Sequence, residues 1–339
     1  MLRLKRQPSL AAATADGGVA TLGGRERSTG QLVGGIVLRY AIVFVLIALA
    51  IVSNVLYPGF FEWGNLRNIM SQNAPVGLVA IGMTFVMIAG GFDLSVSAIF
   101  AAAGVAAASF TGHMPIGLAL LAALGVGLVG GAVNGAIVTR LKVNPFVATL
   151  GTASAFSGLA LLYSHSQPIV PTHTGFTWLG TARWSGVPVS VVIFFAAFAI
   201  GAVVLSRTVF GRSVYAVGGN TEAARLAGIR VDLIRFVTYT ITGVCAALGG
   251  IIIASQTGVG QADIGANITL DSIAIVIIGG TSLLGGEGAM WRTLVGLLIL
   301  ATINNLFDSL ALDTAAQSLV KGVIVVGAVA LDSYTRRRH

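Results

Sequence analysis

The residues best suited to phosphate, metal or nucleophile chemistry stand in no arrangement that performs it. A phosphate-binding loop needs Gly-Lys followed by Ser or Thr, so that backbone N–H groups and the ammonium hold the phosphates. Lys5, Lys142 and Lys321 follow Leu4, Leu141 and Val320 instead. The chain alone is therefore expected to carry no ATPase site. His113, His165, His173 and His339 have no ligand spacing on a shared helix face, no Gly-x-Ser-x-Gly elbow occurs, and His165 and His173 read as ordinary loop residues. Cys245, the only cysteine, excludes an internal disulfide and a thiolate metal cluster.

What remains is polarity set in apolar surroundings. Asp93, Asp271, Glu287, Asp308, Asp313 and Lys321 are the charged candidates, and a charge in hydrocarbon is costly and is retained for function. Most of them fall near the end of an apolar run, where solvation or helix capping also accounts for them. Lys321 lies deeper, with Asp313, Asp308 or a carbonyl as expected partner. The neutral candidates are Asn73, Thr84, Ser95, Asn134, Asn144, Thr149, Asn304 and Asn305. They suit a passage for polar solutes, and they equally suit hydrogen bonds between helices.

The elements that position these residues are membrane spans. Charged residues make up 9% of the 339, against roughly 25% in soluble domains, and 55% are hydrophobic. Stretches of about 18–25 nearly uncharged residues match a helix crossing hydrocarbon. They predict an all-α integral membrane protein of about ten spans, at 35–57, 75–91, 94–112, 115–139, 145–164, 188–206, 236–256, 269–285, 289–307 and 314–331. Gly125, Gly127, Gly130, Gly131 and Gly135 in the fourth predict close helix packing, because small residues let backbones approach in lipid.

With the N-terminus inside, Arg67 and Arg183 fall outside, Lys321 falls within the last span, and every other Lys and Arg falls on the cytoplasmic side. That asymmetry is the positive-inside pattern, and it predicts both termini in the cytoplasm. The +8 net charge then needs no nucleic-acid partner. Residues 1–32 are expected to form a flexible cytoplasmic tail, since they lack the sustained apolar core of a signal peptide, and residues 33–335 the transmembrane domain.

Three polar intervals separate the spans. Segment 58–74 is expected outside, with a short surface helix capped near Asn65 and Trp63 at the interface. The outside loop 165–187 carries Trp178 and Trp184. The cytoplasmic interval 207–235 holds a capping pattern, Asn220-Thr221-Glu222, then Ala223, Ala224, Leu226 and Ala227, closed by Gly228. Such a short helix has little of the chain to pack against and reads as a surface presented to a partner. A weak internal echo pairs Gly90-Gly91-Phe92-Asp93-Leu94 with Gly279-Gly280-Thr281-Ser282-Leu283, as in transporters built from repeats with broken helices.

Four blocks in order resemble one family over roughly 35–335: the permease subunits of bacterial ATP-binding-cassette importers for ribose and other monosaccharides. They are Ala80 to Val86 through Gly90-Gly91-Phe92-Asp93-Leu94-Ser95-Val96; Asn144-Pro145-Phe146-Val147-Ala148-Thr149-Leu150-Gly151; Gly211-Arg212 through Gly218-Gly219-Asn220 and Ala223 to Ile229; and Leu270-Asp271-Ser272 through Gly279-Gly280-Thr281-Ser282-Leu283 with Gly285-Gly286. The resemblance departs at Ser97, at Thr269 before Leu270-Asp271, and at Trp291-Arg292.

The resemblance implies a permease in the bacterial cytoplasmic membrane, paired with a copy or a related permease. It also implies two separate ATPase subunits that hold ATP-Mg, an external sugar-binding protein, and no cofactor on this chain. Gly219, Asn220, Ala223, Ala224 and Gly228 are then expected to couple to the ATPase. Asn73, Asp93, Asn134, Asn144, Phe146 and Asp271 are expected along the translocation path or in its gating. Another small polar cargo (a polyol, a nucleoside, an amino acid) or an ion-coupled carrier are the alternatives.

Overall fold

The computed structural model describes residues 29–313, 315–323 and 326–327. Most of the expected tail, and positions 314, 324–325 and 328–331 of the expected last span, lie outside these residues. In chain order the elements are α1 (Thr29–Leu56), α2 (Trp63–Ile88), α3 (Val96–Phe110), α4 (Ile116–Thr139), α5 (Pro145–Ser164), α6 (Trp178–Thr181), β1 (Arg183–Trp184), β2 (Val187–Pro188), α7 (Val189–Arg207), α8 (Val209–Gly219), α9 (Thr221–Leu226), α10 (Val231–Thr257), α11 (Ile268–Ile278) and α12 (Met290–Ser309). Residues 315–323 are helical as well. The two strands form one small antiparallel hairpin, with Trp184 opposite Val187. The helix packing lies within the unit Ile42–His339.

Six helices, α2, α4, α5, α7, α10 and α12, are long and apolar enough to cross a membrane. Tyr40–Leu56, α3 and α11 are shorter apolar helices. This is a multi-pass membrane protein, and its outward surface fits lipid: α4 and α5 expose Leu121, Leu128, Val129, Leu159 and Leu162, and α7 exposes Ile200 and Val203. Two expectations about the polar intervals change. Segment 58–74 is no surface helix, because α2 runs unbroken from Trp63 to Ile88 through Pro75. Its N-cap is Glu62, and Asn65 instead donates to the Phe60 carbonyl at 2.9 Å and the Asn305 carboxamide oxygen at 3.1 Å. The interval 207–235 is helical for most of its length, as α8, α9 and the start of α10.

The core gathers around α10, which packs on α2, α3 and α4. The reason is backbone proximity. A Cβ built on Gly131 of α4 would sit 2.9 Å from the Thr240 Cα of α10, and one on Gly135 would sit 3.0 Å from the Phe236 carbonyl oxygen. Gly243 of α10 returns the contact, since a Cβ built on it would sit 2.7 Å from the Gly131 nitrogen. Without an apolar driving force between helices in lipid, this closeness supplies the attraction through dispersion. The sequence pattern is selective in three dimensions: Gly127, Gly131 and Gly135 meet α10, Gly130 meets Ile99 of α3, and Gly125 faces open space.

Gly131→Leu is therefore expected to force α4 from α10 and destabilise the bundle by at least about 1–3 kcal/mol. Gly125→Leu should change nothing. Thermal unfolding of the two variants in detergent, followed by size-exclusion chromatography, checks the contrast.

Candidate functional site

Residues 207–235 fold into a helical hairpin ending in α9. Asn220 caps it, its Oδ1 accepting from the Ala223 N–H at 2.9 Å. Gly228, at φ +81°, closes it: Gly228 N–H donates to the Arg225 carbonyl and Ile229 N–H to the Ala224 carbonyl, both at 3.0 Å. This is a Schellman end, which needs a left-handed residue and so favours glycine. The helix is not suspended, as the sequence suggested. Ala224 is buried against Val217 of α8 and Val231 of α10, and Arg235 donates to the Thr221 hydroxyl at 3.0 Å.

The face left for a partner carries Glu222, Ala223, Arg225, Leu226 and Ala227. Leu226 is 89% exposed, and Glu222 and Arg225 pair beside it at 2.7 Å. Among the expected coupling residues, Ala223 is on this face, Asn220 and Gly228 make the helix ends, Ala224 points inward, and Gly219 lies beside Gly286. Leu226, the large apolar side chain on this face, was not among the expected coupling residues.

The end of α8 is wedged between the break after α2 and the loop that follows the break after α11. At the first, Gly90 N–H donates to the Met87 carbonyl and Gly91 N–H to the Val86 carbonyl, both at 2.9 Å. At the second, Gly280 N–H donates to the Ile277 carbonyl at 2.7 Å and Thr281 N–H to the Val276 carbonyl at 3.1 Å. These are identical Schellman ends with Gly90 and Gly280 at φ +78° and +79°. The internal echo therefore exists one residue out of the alignment read from sequence: Gly90 corresponds to Gly280 and Ala89 to Gly279. Across the junction Gly286 N–H donates to the Ile88 carbonyl at 2.8 Å, and a Cβ on Gly218 would meet both the Ile88 carbonyl oxygen and the Gly286 nitrogen. Tyr215 of α8 adds a bond from its hydroxyl to the Gly288 carbonyl at 2.9 Å.

Just beyond the first break, Asp93 is fully buried. Its Oδ1 accepts from the Ser95 N–H at 2.9 Å and the Ser95 hydroxyl at 2.7 Å. Asn134 of α4 donates to the Ser95 hydroxyl at 2.6 Å and accepts from the Thr152 hydroxyl of α5 at 2.5 Å. Thr149 of α5 accepts from Leu94 N–H at 3.0 Å. The set fastens the start of α3 to α4 and α5, while Asp93 Oδ2 has no hydrogen-bond partner.

The other expected path residues are scattered. Asn144 caps α5 by accepting from Phe146 N–H at 2.9 Å, and the Phe146 ring is exposed on the apolar surface. Asn73 donates to the Ile69 carbonyl at 2.8 Å. Asp271 lies 4.0 Å from Lys321 Nζ, both partly buried, so the partner of Lys321 is Asp271 rather than Asp308 or Asp313. Among the described residues no group of His, Cys, Asp and Glu is placed to hold a metal.

Asn134→Leu is expected to break the bridge between Ser95 and Thr152, leaving the Ser95 hydroxyl only Asp93 Oδ1 and the Thr152 hydroxyl only the Thr149 carbonyl, at 3.2 Å. Each hydrogen bond lost costs about 0.5–1.5 kcal/mol, so the melting temperature in detergent should fall, whereas Asn144→Asp, which keeps the cap, should not lower it.

Comparison with known proteins adds sequence kinship to this geometry. Residues 65–329 match the family described as branched-chain amino acid transport system, permease component. The chain is 40% identical over 291 residues to the ribose import permease protein RbsC of Bacillus subtilis, covering 85% of this chain and 90% of that protein. It is 38% identical over 301 residues to the RbsC of Escherichia coli K12, covering 86% and 92%. It is 34% identical over 302 residues to the L-arabinose transport system permease protein AraH of the same strain, covering 88% and 92%. No solved structure matches.

Proposed function

We infer that this chain, which belongs to the family of branched-chain amino acid transport system permease components, is the membrane subunit of an ATP-driven importer for a monosaccharide. One observation carries the cargo: identity of 34–40% with ribose and arabinose permeases runs along nearly the whole of both chains. The chain translocates and does no chemistry. ATP-Mg belongs to two ATPase subunits in the cytoplasm, and the sugar is delivered by an external binding protein. The permease works in the bacterial cytoplasmic membrane, with about ten crossings and both termini inside, beside a copy of itself or a related permease.

The hairpin supports a route for the work. An ATPase that grips the exposed face of α9 at Leu226 moves α8 with it, because Ala224 ties α9 to Val217. Gly218 at the end of α8 bears on the carbonyl of Ile88 and on Gly286, so the displacement reaches the end of α2 and the loop after α11 together. Glycine at these points allows backbone to press on backbone with no intervening side chain to absorb the motion. The helices then alternate access to the solute.

Co-purification with its ATPase and binding protein, followed by uptake of labelled ribose into vesicles, tests the function. ATP-dependent uptake supports it. Uptake by this chain alone under a proton gradient overturns it, and ATP-dependent uptake of leucine in place of ribose moves the cargo to the one named in the family's description. Leu226→Arg is expected to weaken the complex with the ATPase by about 2 kcal/mol, roughly thirtyfold, with the permease fold intact, as for a central apolar anchor. Titration of the purified ATPase onto permease in lipid discs measures it.

A further inference from the structure

Between α10 and α11 the chain is not helical, yet it lies alongside α3, one of the shorter apolar helices. Gly258 ends α10 at φ +72°. Gly260 then exchanges two 2.8 Å hydrogen bonds with Ile169 and presses on α3, where a Cβ would sit 2.7 Å from the Gly104 carbonyl oxygen and 2.8 Å from the Ala108 Cβ. Gly265 sits against the Phe100 ring, 2.9 Å from a built Cβ, and Thr269 Oγ1 accepts from Ser97 N–H at 3.3 Å. The segment therefore descends antiparallel to α3 past residues 97–108, about 16 Å at 1.5 Å per residue and about half of a hydrocarbon core. Irregular backbone at that depth is tolerated only where protein buries it or where it lines a watered cavity.

Here both conditions meet. One side of the segment is buried on α3, and the other opens on a groove of about 360 Å³ between α3, α5 and residues 262–266. Its polar lining is Ser97, Ser154, Ser157 and Asp263, and the rest is mostly alanine. Asp263 is exposed, and among the described residues neither its carboxylate nor the hydroxyls of Ser97 and Ser157 have a protein partner. Ser154 has only the Leu150 carbonyl, at 3.3 Å. None of the lining residues is a cation.

We propose that this groove, and not the buried asparagines and aspartates, is where this chain contacts its solute in the membrane, and that it is built for a neutral polyhydroxylated molecule. The serine hydroxyls donate and accept, the Asp263 carboxylate accepts from solute hydroxyls, and the alanine methyls meet the C–H faces of a ring. A solute of net negative charge finds no counter-charge there and faces Asp263, which disfavours anionic solutes. So few polar groups hold a solute weakly enough to release it, as passage requires. The proposal deepens the importer reading and rests on it, while its structural half is testable without transport.

Cys245 is buried, so a single introduced thiol reports alone. In membrane vesicles, Ser157→Cys is expected to react with a polar, charged thiosulfonate reagent, whereas Leu162→Cys, on the apolar outer surface of the same helix and 74% exposed, is not. The ratio of cationic to anionic reagent rates at the Ser157→Cys thiol should fall several-fold when Asp263→Asn is added. In vesicles loaded with the full complex, modification of that thiol should abolish labelled ribose uptake while ATP hydrolysis by the complex persists. An unreactive Ser157→Cys variant, or ribose uptake undiminished after its modification, overturns the proposal. A reactive thiol at this position in a complex that carries no ribose leaves the groove supported and removes the sugar reading instead.

Discussion

In hydrocarbon a backbone carbonyl or N–H without a partner costs several kcal/mol, and a helix that stops at depth leaves several of them. The helix ends of this fold answer that constraint. The ends of α2 and α11 close on themselves through Gly90 and Gly280, and the Ile88 carbonyl is then taken by Gly286 from the loop that follows the second break. That loop is thus bonded to the end of α2.

The same constraint explains where glycine concentrates. At the junction it lets the chain turn left-handed and lets Gly218 of α8 touch the Ile88 carbonyl directly. Along α4 it does something else, bringing two straight helices close enough for dispersion to hold them where lipid offers no hydrophobic drive. The junction joins the α8–α9 hairpin to the end of α2 and the loop after α11, while the seam between α4 and α10 holds two helices in close backbone contact.

Buried polarity follows from the same arithmetic. Asp93, Ser95, Asn134 and Thr152 satisfy one another, with the single exception of Asp93 Oδ2, and in doing so they fix the first turn of α3 against α4 and α5. A residue whose hydrogen bonds are already used holds helices together. A residue whose hydroxyl or carboxylate is open to a groove, as at Ser157 and Asp263, is available to a solute.

Much of the fold was legible in the sequence, since hydropathy and length report what lipid demands of each segment separately. The Asn220 cap, the Gly228 stop, the Gly-Gly breaks and the small-residue face of α4 were readable for the same reason: each is a local backbone requirement stated by residue type. The partners of the polar residues were not. Asn73 bonds to the Ile69 carbonyl, and Asp93 and Asn134 meet at Ser95, because a polar side chain in lipid takes the nearest partner and sequence does not say which that is. Nor could periodicity reveal that Ala224 faces Val217 and leaves Leu226 outside, or that residues 258–267, between the expected spans 236–256 and 269–285, pack along α3. Sequence determined which segments must be helical and where each must stop; packing alone decided which polar groups were left unspent.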